Sequence, residues 1–305
     1  PDLLDADAKL PATYTAANVG RATKGAAKSI LGKVYLTTKD FVSAEAKLLE
    51  VTTLGYSILP NFNDLFNYAG DNQHHKEYIF DLEYLDGNVG LGSPFTRNFM
   101  VETQDVGSAF PAAVRALYNI TGTQSAQGNG TPNLAFVNLF DPNDKRAYRT
   151  ATTFVTTAAG AKVSIPSGSA VPAITQKFMA AISTDNRVNW KIIRYADVLL
   201  MLAEAMNENG KTAAALPYLN QIRTRAGVVT YSGLTQDDTR DKIYMERRFE
   251  LYMEGQRWFD LVRTGRALTT MASKGMKAHM TVFPIPRTQI EVVNDPDILS
   301  QNPNY

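Results

Sequence analysis

Apolar positions recur at helical spacing in two separated parts of the chain. Residues 18–38 read as a helix in which Ile30, Leu31, Val34 and Tyr35 fill one face, while Ala22, Ala26, Ala27 and Ser29 allow close approach. Asp40 is a good N-cap for a second helix reaching to about Thr53, with Phe41, Ala44, Leu48 and Leu49 inward, and Gly55 closes it. Residues 18–55 are therefore predicted as a helical hairpin. The pattern returns in "NWKIIRYADVLLMLAEAMNENG", a long and nearly all-apolar helix, followed by "KTAAALPYLNQIRTRAGV" as its partner. A shift of 170 places sets Leu36 on Met206, Asp40 on Gly210, Ala44 on Ala214 and Leu49 on Leu219. Two hairpins, 18–55 and 191–228, with small residues at the crossing points look like tetratricopeptide-type units, which stack in series. Between them "EYIFDLEYL" alternates Tyr78, Phe80, Leu82 and Tyr84 against charge, a half-buried strand. Residues 133–140 read as a short helix and "YRTATTFVTT" as a strand. The proline-punctuated tail "TVFPIPRTQIEVVNDPDILSQNPNY" is predicted to wrap the surface.

A further helix is predicted over residues 241–254. It places Glu246, Glu250 and Glu254 in one stripe, with Phe249, Tyr252 and Met253 on an apolar face and Gly255 just past its end. Such a stripe has two readings. Two glutamates could act as acid and base in glycoside hydrolysis, which needs carboxyls ~5–9.5 Å apart across a cleft with separated pKa values. Alternatively they form a buried ion network with the arginines of the same segment, Arg247, Arg248 and Arg257. One helix supplies the distance but no cleft, which favours the network. Arg194 and Asp197 stand at i, i+3 as local partners on the apolar helix, whereas Glu204 has no local cation. Its counterion is expected among Arg247, Arg248 and Arg257, tying the two helical regions together.

Composition narrows the function classes. The chain has 305 residues, 44% apolar and 20% charged, with 31 basic and 30 acidic side chains. No block of like charge stands out, which argues against nucleic acid as a partner. There is no cysteine, so disulfides and thiolate chemistry are excluded for this chain. No apolar run approaches ~18 residues. The chain opens directly on a helical pattern, without a signal peptide, and an upstream part is expected to be missing.

Few motifs signal chemistry. His74 and His75 are adjacent and point apart, with no third ligand signalled, so no metal site is expected. "GNVGLG" lacks a following helix start and a Lys-Ser/Thr pair, and is read as loop. The serines lack a G-x-S-x-G context. Residues 86–131 are rich in Gly, Asn, Ser and Thr with scattered aromatics, an unusual length for a connection without periodicity. Tyr84, Phe95, Phe99, Phe110 and Tyr118, with Arg97, Asn98 and Asn129, are the candidates there. Either these aromatics pack the loop as a small core, or some form a platform on which sugar rings stack while Asn and Arg bond the hydroxyls.

Several stretches, in order, resemble the SusD/RagB family of surface glycan-binding lipoproteins of Bacteroidetes. They are "GRATKGAAKSILGKVYLTTKDFVSAEAKLLEV", "YSILPNFNDLF", "PNLAFVNLFDPNDKRAYRT", "IIRYADVLLMLAEAMNENG", "YLNQIRTRAGV", "ERRFELYMEGQRWFDLVRTGRA", "FPIPRTQIEVVNDP" and the closing "QNPNY". The resemblance implies a mainly α fold of tetratricopeptide-like hairpins with a loop-rich irregular part and a few short strands. Residues 1–305 would then be a single such domain lacking its N-terminal part, with residues 84–190 as the ligand-binding part. It implies no catalysis, no cofactor, a carbohydrate ligand, and a SusC-like TonB-dependent outer-membrane transporter as partner. It also implies a surface position in the outer membrane, held by a lipid on a cysteine of the missing N-terminal part. A lid or scaffold for the transporter that binds no glycan tightly is the competing class, and a glycoside hydrolase the third.

Overall fold

The computed structural model describes residues 1–68, 74–87, 90–100, 109–118, 128–129, 131–180 and 187–305. It is mainly helical with a few short strands, and divides into two compact units, Pro1–Glu254 and Gly255–Tyr305.

The first unit is built on helices that pack in sequence pairs. α1 (Asp2–Lys9) is anchored by Asp7, which takes Lys28 at 2.7 Å and Lys47 at 2.9 Å. α2 (Lys24–Thr37) starts six residues later than its apolar pattern predicts, because Gly20 turns the backbone at φ +94° and Thr23 caps the helix by accepting from Ala26 N. α3 (Phe41–Thr52) is capped by Asp40, whose carboxylate accepts from Ser43 N at 3.1 Å. The two cross where Gly32 faces Leu48, so closely that a Cβ on Gly32 would lie 2.6 Å from the leucine side chain.

The second hairpin corrects the sequence reading at its entry. Trp190–Arg194 is a strand rather than the first turn and a half of a helix. Ile192 and Ile193 suit extended backbone, and a partner strand is present. Here β1 (Tyr78–Leu82) and the last strand, β4 (Trp190–Arg194), pair antiparallel with Asp81 opposite Lys191 and Leu82 opposite Trp190. Between them in the chain, β2 (Phe154–Thr156) pairs with β3 (Lys162–Ser164) in a separate ribbon. Short helices α4 (Phe95–Phe99), α5 (Ala109–Leu117), α6 (Leu134–Val137) and α7 (Ala147–Thr150) lie in the stretch between the hairpins, where sequence periodicity signals only the third.

α8 (Tyr195–Glu208) is buried almost along its whole length, which explains its all-apolar pattern. α9 (Thr212–Ala226) returns along it and ends at Gly227 in the left-handed region. α10 (Gln236–Glu250), capped by Thr235, packs on both. Ala44, Leu48 and Val51 of α3 meet Leu199, Leu200 and Met201 of α8, Leu219 of α9 and Ile243 of α10 in one core, each essentially without exposure. α10 stops at Glu250, four residues short of the predicted end. Its last carbonyl is taken by two side chains, Lys177 Nζ and Arg194 Nη2, both at 2.8 Å, so the turn is satisfied without continuing. Glu254 therefore follows the helix instead of completing a stripe on it.

The second unit holds α11 (Arg257–Arg263), α12 (Ala267–Met271) and α13 (Arg287–Val293). Its tail is held by Gln301, which bonds both the N–H and the carbonyl of Ile285, and by Tyr305, whose hydroxyl donates to Val282 O at 2.9 Å.

Gly32→Val tests the hairpin crossing. The branched side chain has no free space against the fully buried Leu48, and overpacking of this kind costs ~1–3 kcal/mol. The urea midpoint should fall accordingly with an unchanged slope.

Candidate functional site: an aromatic loop surface over a buried ion network

Beneath the irregular part lies a dense set of charges. Glu77 precedes β1, Asp144 and Arg146 precede α7, Lys177 precedes β4, Arg223 and Arg225 close α9, and Glu246, Glu250 and Glu254 come from α10 and the turn after it. Arg194, at the end of β4, directs Nε to Glu254 at 2.7 Å and Nη1 to both Glu77 at 2.9 Å and Glu250. Arg225 donates to both Glu77 oxygens, at 3.0 and 2.9 Å, and to Glu250. Arg146 bridges Asp144 at 2.8 Å, Glu246 at 2.7 Å and Glu250 at 3.1 Å. Arg223 reaches Glu246 at 2.6 Å and Lys177 reaches Glu254 at 2.7 Å. Among the described residues, these five carboxylates face these five cations. A second pair, Arg247 to Asp197 at 2.7 Å, adjoins it with Lys33 at 3.6 Å.

Burial alone would raise these carboxyls; the arginines win. Arg225, Arg194 and Arg146 hold Glu250 well below the usual carboxylate range, and Arg194 and Lys177 lower Glu254 against its burial. Lys33 and Arg247 bring Asp197 down to about 2 against burial. Burial pushes Lys177 down to about 8, with Glu254 opposing.

Two sequence expectations are corrected here, those for Arg194 and Arg248, and Arg257 and Glu204 are located. Arg194 does not pair with Asp197 one turn along; its donors go to Glu77, Glu250 and Glu254, because it sits on a strand end and points away from the helix face. Arg248 makes no ion pair among the described residues and instead lies over the Phe136 ring at 4.9 Å. Arg257 opens α11 of the C-terminal unit. Glu204 is buried in α8 at 1% exposure. Glu77, Arg146, Lys177 and Arg225 were not singled out from sequence. Each sits in an unremarkable local pattern, and only the fold brings it to the network.

The candidate ligand residues divide into two groups. Tyr84, Phe95 and Phe99 gather with Phe178 and Trp190. Phe95 lies 4.7 Å from Trp190 and meets Tyr84 edge-on at 5.7 Å; Phe99 stacks on Phe178 at 4.5 Å, and Phe178 is nearly parallel to Trp190 at 5.8 Å. Phe178 and Val188 are buried beneath, while Tyr84, Phe95, Phe99 and Trp190 are half-buried. Thr96 pins α4 by donating to Phe178 O at 2.6 Å. Beside the rings, Glu83, Tyr84, Leu85, Gly90 to Gly92 and Arg187 line a cleft of about 610 Å³. Asp86 takes Arg187 in a bidentate pair at 2.9 and 2.6 Å, which joins the two ends of the loop-rich stretch and holds the Asp86 carboxyl low. Leu82, Leu85 and Leu91 are exposed around the cleft.

Tyr118 lies elsewhere. It packs with Met100, Phe110 and Val114, donates to Gln176 and accepts from Arg149 Nη1 at 3.0 Å; burial pushes its hydroxyl up to about 12. Arg97 is exposed and Asn98 half-buried, and Asn129, also exposed, is placed beside them by its N–H to Asn98 O at 2.9 Å. Phe178 and Trp190 escaped the sequence reading because nearly a hundred residues separate them from Tyr84. His74 lies 3.5 Å from Glu83, and among the described residues no cluster of three or more His, Cys, Asp or Glu could hold an ion.

These features define a scaffold of paired helices, locked by a buried ion network, that carries an aromatic surface on loops. Residues 76–282 match the SusD family, and the chain belongs to it. It is 26% identical to SusD-like protein P25 of Formosa agariphila over 95% of this chain and 60% of that protein. It is 27% identical to a SusD-like protein of Bacteroides ovatus over 82% of this chain and 47% of that protein. The chain spans about 60% of the length of the Formosa relatives P25 and P2. Among solved structures it superposes on a laminarin-binding SusD-like protein with TM-score 0.78 and 26% identity, over 100% of this chain and 67% of that one. Surface glycan-binding protein A from Bacteroides thetaiotaomicron, solved in complex with laminarihexaose, has the same fold, with TM-score 0.75 and 22% identity over 97% of this chain and 67% of that one.

Two outcomes test the network. Arg194→Met should destabilise by ~3–5 kcal/mol, since it strands carboxylates that burial would otherwise neutralise. The pH response follows from depressed carboxyls. For Asp197 the stabilisation is complete above the unfolded value of 3.8 and disappears as pH falls through about 2, with Glu250 and Glu254 acting in the same direction. Urea midpoints should hold steady down to the unfolded carboxylate range and fall steeply below it; a flat profile in acid would contradict the assignment.

Proposed function

We propose that this protein captures oligosaccharides at the cell surface without cleaving them, for delivery to a TonB-dependent outer-membrane transporter of the SusC kind. The observation that carries the reading is the ring surface of Tyr84, Phe95 and Trp190 beside an open cleft, on a chain of the SusD family. Half-buried aromatic faces present apolar area at little entropic cost, and sugar rings have matching apolar faces. Arg187, held by Asp86, and Glu83 line the cleft and supply polar partners for hydroxyls.

The hydrolytic alternative needs a carboxyl held protonated and another free to attack or to activate water. Glu246, Glu250 and Glu254 are each at most 4% exposed and bound to arginine or lysine, and Glu250 and Glu254 are held ionised. They have no access to a substrate. No helix among the described residues is long and apolar enough to cross a membrane; attachment to the outer membrane by a lipid is part of the same reading, supported by membership of the SusD family. The 84–190 stretch is the ligand-binding part, and the loop residues named from sequence reduce to a working set of Tyr84, Phe95 and Phe99, joined by Trp190.

Laminarin and laminarihexaose are the first probes, since related structures carry them in their names; other polysaccharides complete the panel. Calorimetry with the full-length protein, run beside a reducing-end assay, should give binding without new ends. Trp190→Ala and Tyr84→Ala should each weaken binding by about two- to tenfold, for ring contacts of ~0.5–1.5 kcal/mol, while Tyr118→Ala leaves it unchanged. Release of reducing ends would defeat the reading. So would failure of every glycan to bind while the protein still co-purifies with its transporter, which is the result the scaffold alternative requires.

A further inference from the structure

A second cavity, which shares Glu83 with the ring-side cleft, lies in the first unit between the segment before α2 and β1. It measures about 300 Å³, the small end of ligand pockets at roughly 300–1,000 Å³. Tyr14, Tyr56 and Thr13 line it from one side, and Asp81, Glu83 and Asn189 from the other. The wall is built to close tolerance. Gly20 sits at φ +94°, and a Cβ there would lie 2.7 Å from Glu83 Oε1; a Cβ on Gly25 would collide with the Tyr56 hydroxyl at 2.2 Å.

Two polar groups in this wall are unspent. Asn189 is only 5% exposed. Its Oδ1 accepts from Tyr84 N at 2.8 Å, and its Nδ2 has no partner among the described residues. The Asp81 carboxylate makes no ion pair or hydrogen bond among the described residues, and its Oδ1 is buried without a partner. The cation opposite it in the strand pair, Lys191, is spent on aromatic faces, with Nζ 4.6 Å from the Tyr78 ring centre. Buried polar groups are paired in folded proteins with few exceptions, and leaving one unpaired costs ~1–3 kcal/mol. A donor and an acceptor left open on one cavity wall are the pattern of a ligand site.

We infer that this cavity is a second carbohydrate site, which takes a mono- or disaccharide with Asp81 accepting from ring hydroxyls and Asn189 Nδ2 donating to one. A neutral polyhydroxylated ligand fits the charge. Arg21, His74, His75 and Lys76 stand at the same cavity as Asp81 and Glu83, so a cation gains no net attraction and an anion meets the carboxylates. His74 Nδ1 lies 3.5 Å from Glu83 Oε1, which leaves Asp81 as the unengaged acid. Burial also raises the Asp81 carboxyl to about 6, as expected for an acid awaiting a hydrogen-bonding partner. The inference stands independently of the loop surface.

Saturation-transfer NMR on the full-length protein, with glucose, galactose, mannose and N-acetylglucosamine at millimolar concentration, provides the test. At least one sugar should bind. Asp81→Asn should weaken it about tenfold, in keeping with loss of a charge-assisted hydrogen bond, and Thr13→Trp, which fills the mouth from an exposed position, should abolish it. Asn189→Asp keeps the acceptor for Tyr84 N and removes the donor, and should weaken binding as well. Asp81→Asn should not lower the melting temperature, because the carboxylate holds no partner; a purely structural carboxylate would lower it. Trp190→Ala should leave monosaccharide binding intact. Binding that survives Asp81→Asn and Thr13→Trp but disappears in Trp190→Ala would overturn the second site while leaving the loop surface as the glycan platform. Binding of no sugar by the wild-type protein would overturn it too. Loss of polysaccharide binding alone, with the Asp81-dependent sugar retained, would defeat the loop surface and uphold the cavity.

Discussion

A carboxylate buried as deeply as Glu250 survives in its charged form only if several cations surround it. Arg146, Arg194 and Arg225 do so, each from a different part of the chain. That single requirement fixes the relation of α7, β4, α9 and α10. It also draws in Glu77 and so sets the start of β1, whose partner β4 carries Arg194 at one end and Trp190 at the other. The ring surface is thus one strand length away from the charge network. A buried network of this kind is weak as a source of net stability against a hydrophobic core of equal volume. Its consequence is geometric: no neighbouring register of β4 keeps Arg194 on its three acids.

The same network explains why the irregular part can be long. Loops with few periodic contacts are ordinarily costly to hold in place. Here the stretch between the hairpins is tied down at intervals: by Arg146 and Lys177 into the acids, by Thr96 to Phe178 O, and by Asp86 to Arg187 across its two ends. Loop segments between these ties are free to vary in sequence without disturbing the helices.

The helices were legible because their signal is local. Asp40 caps α3 and Gly227 ends α9 where the residue types place them, and the apolar periodicity of 18–55 and of 195–226 marks real faces. The charge reading was legible in kind but not in detail. The stripe of Glu246, Glu250 and Glu254 announced a demand for arginine, and arginines that meet it arrive from residues 146, 194, 223 and 225, far from it in the chain. Such pairing depends on which ends the fold brings together, and nothing local encodes it. The strand at 190–194 was hidden for a related reason. Its residues match a helical continuation of α8 as well as a strand, and only the presence of β1 decides. Trp190 was lost from the candidate site with it.

Of the two readings left open by the sequence for the aromatic candidates, packing is visible directly, and the ligand platform is the proposal made above. Tyr118 and Phe110 are committed to a small core, with the Tyr118 hydroxyl taken by Gln176 and Arg149. Phe95 and Phe99 also pack, on Phe178, but remain half-buried and hold Tyr84 and Trp190 at the rim. A ring that only fills a core gains by full burial, so a cluster whose outer members stay half-exposed forgoes that gain. Rigid support beneath and an open face above is the arrangement that lowers the entropic cost of holding a flat ligand. The loop aromatics thus act as core on one side and as surface on the other, and Trp190, fixed by β4, belongs to both.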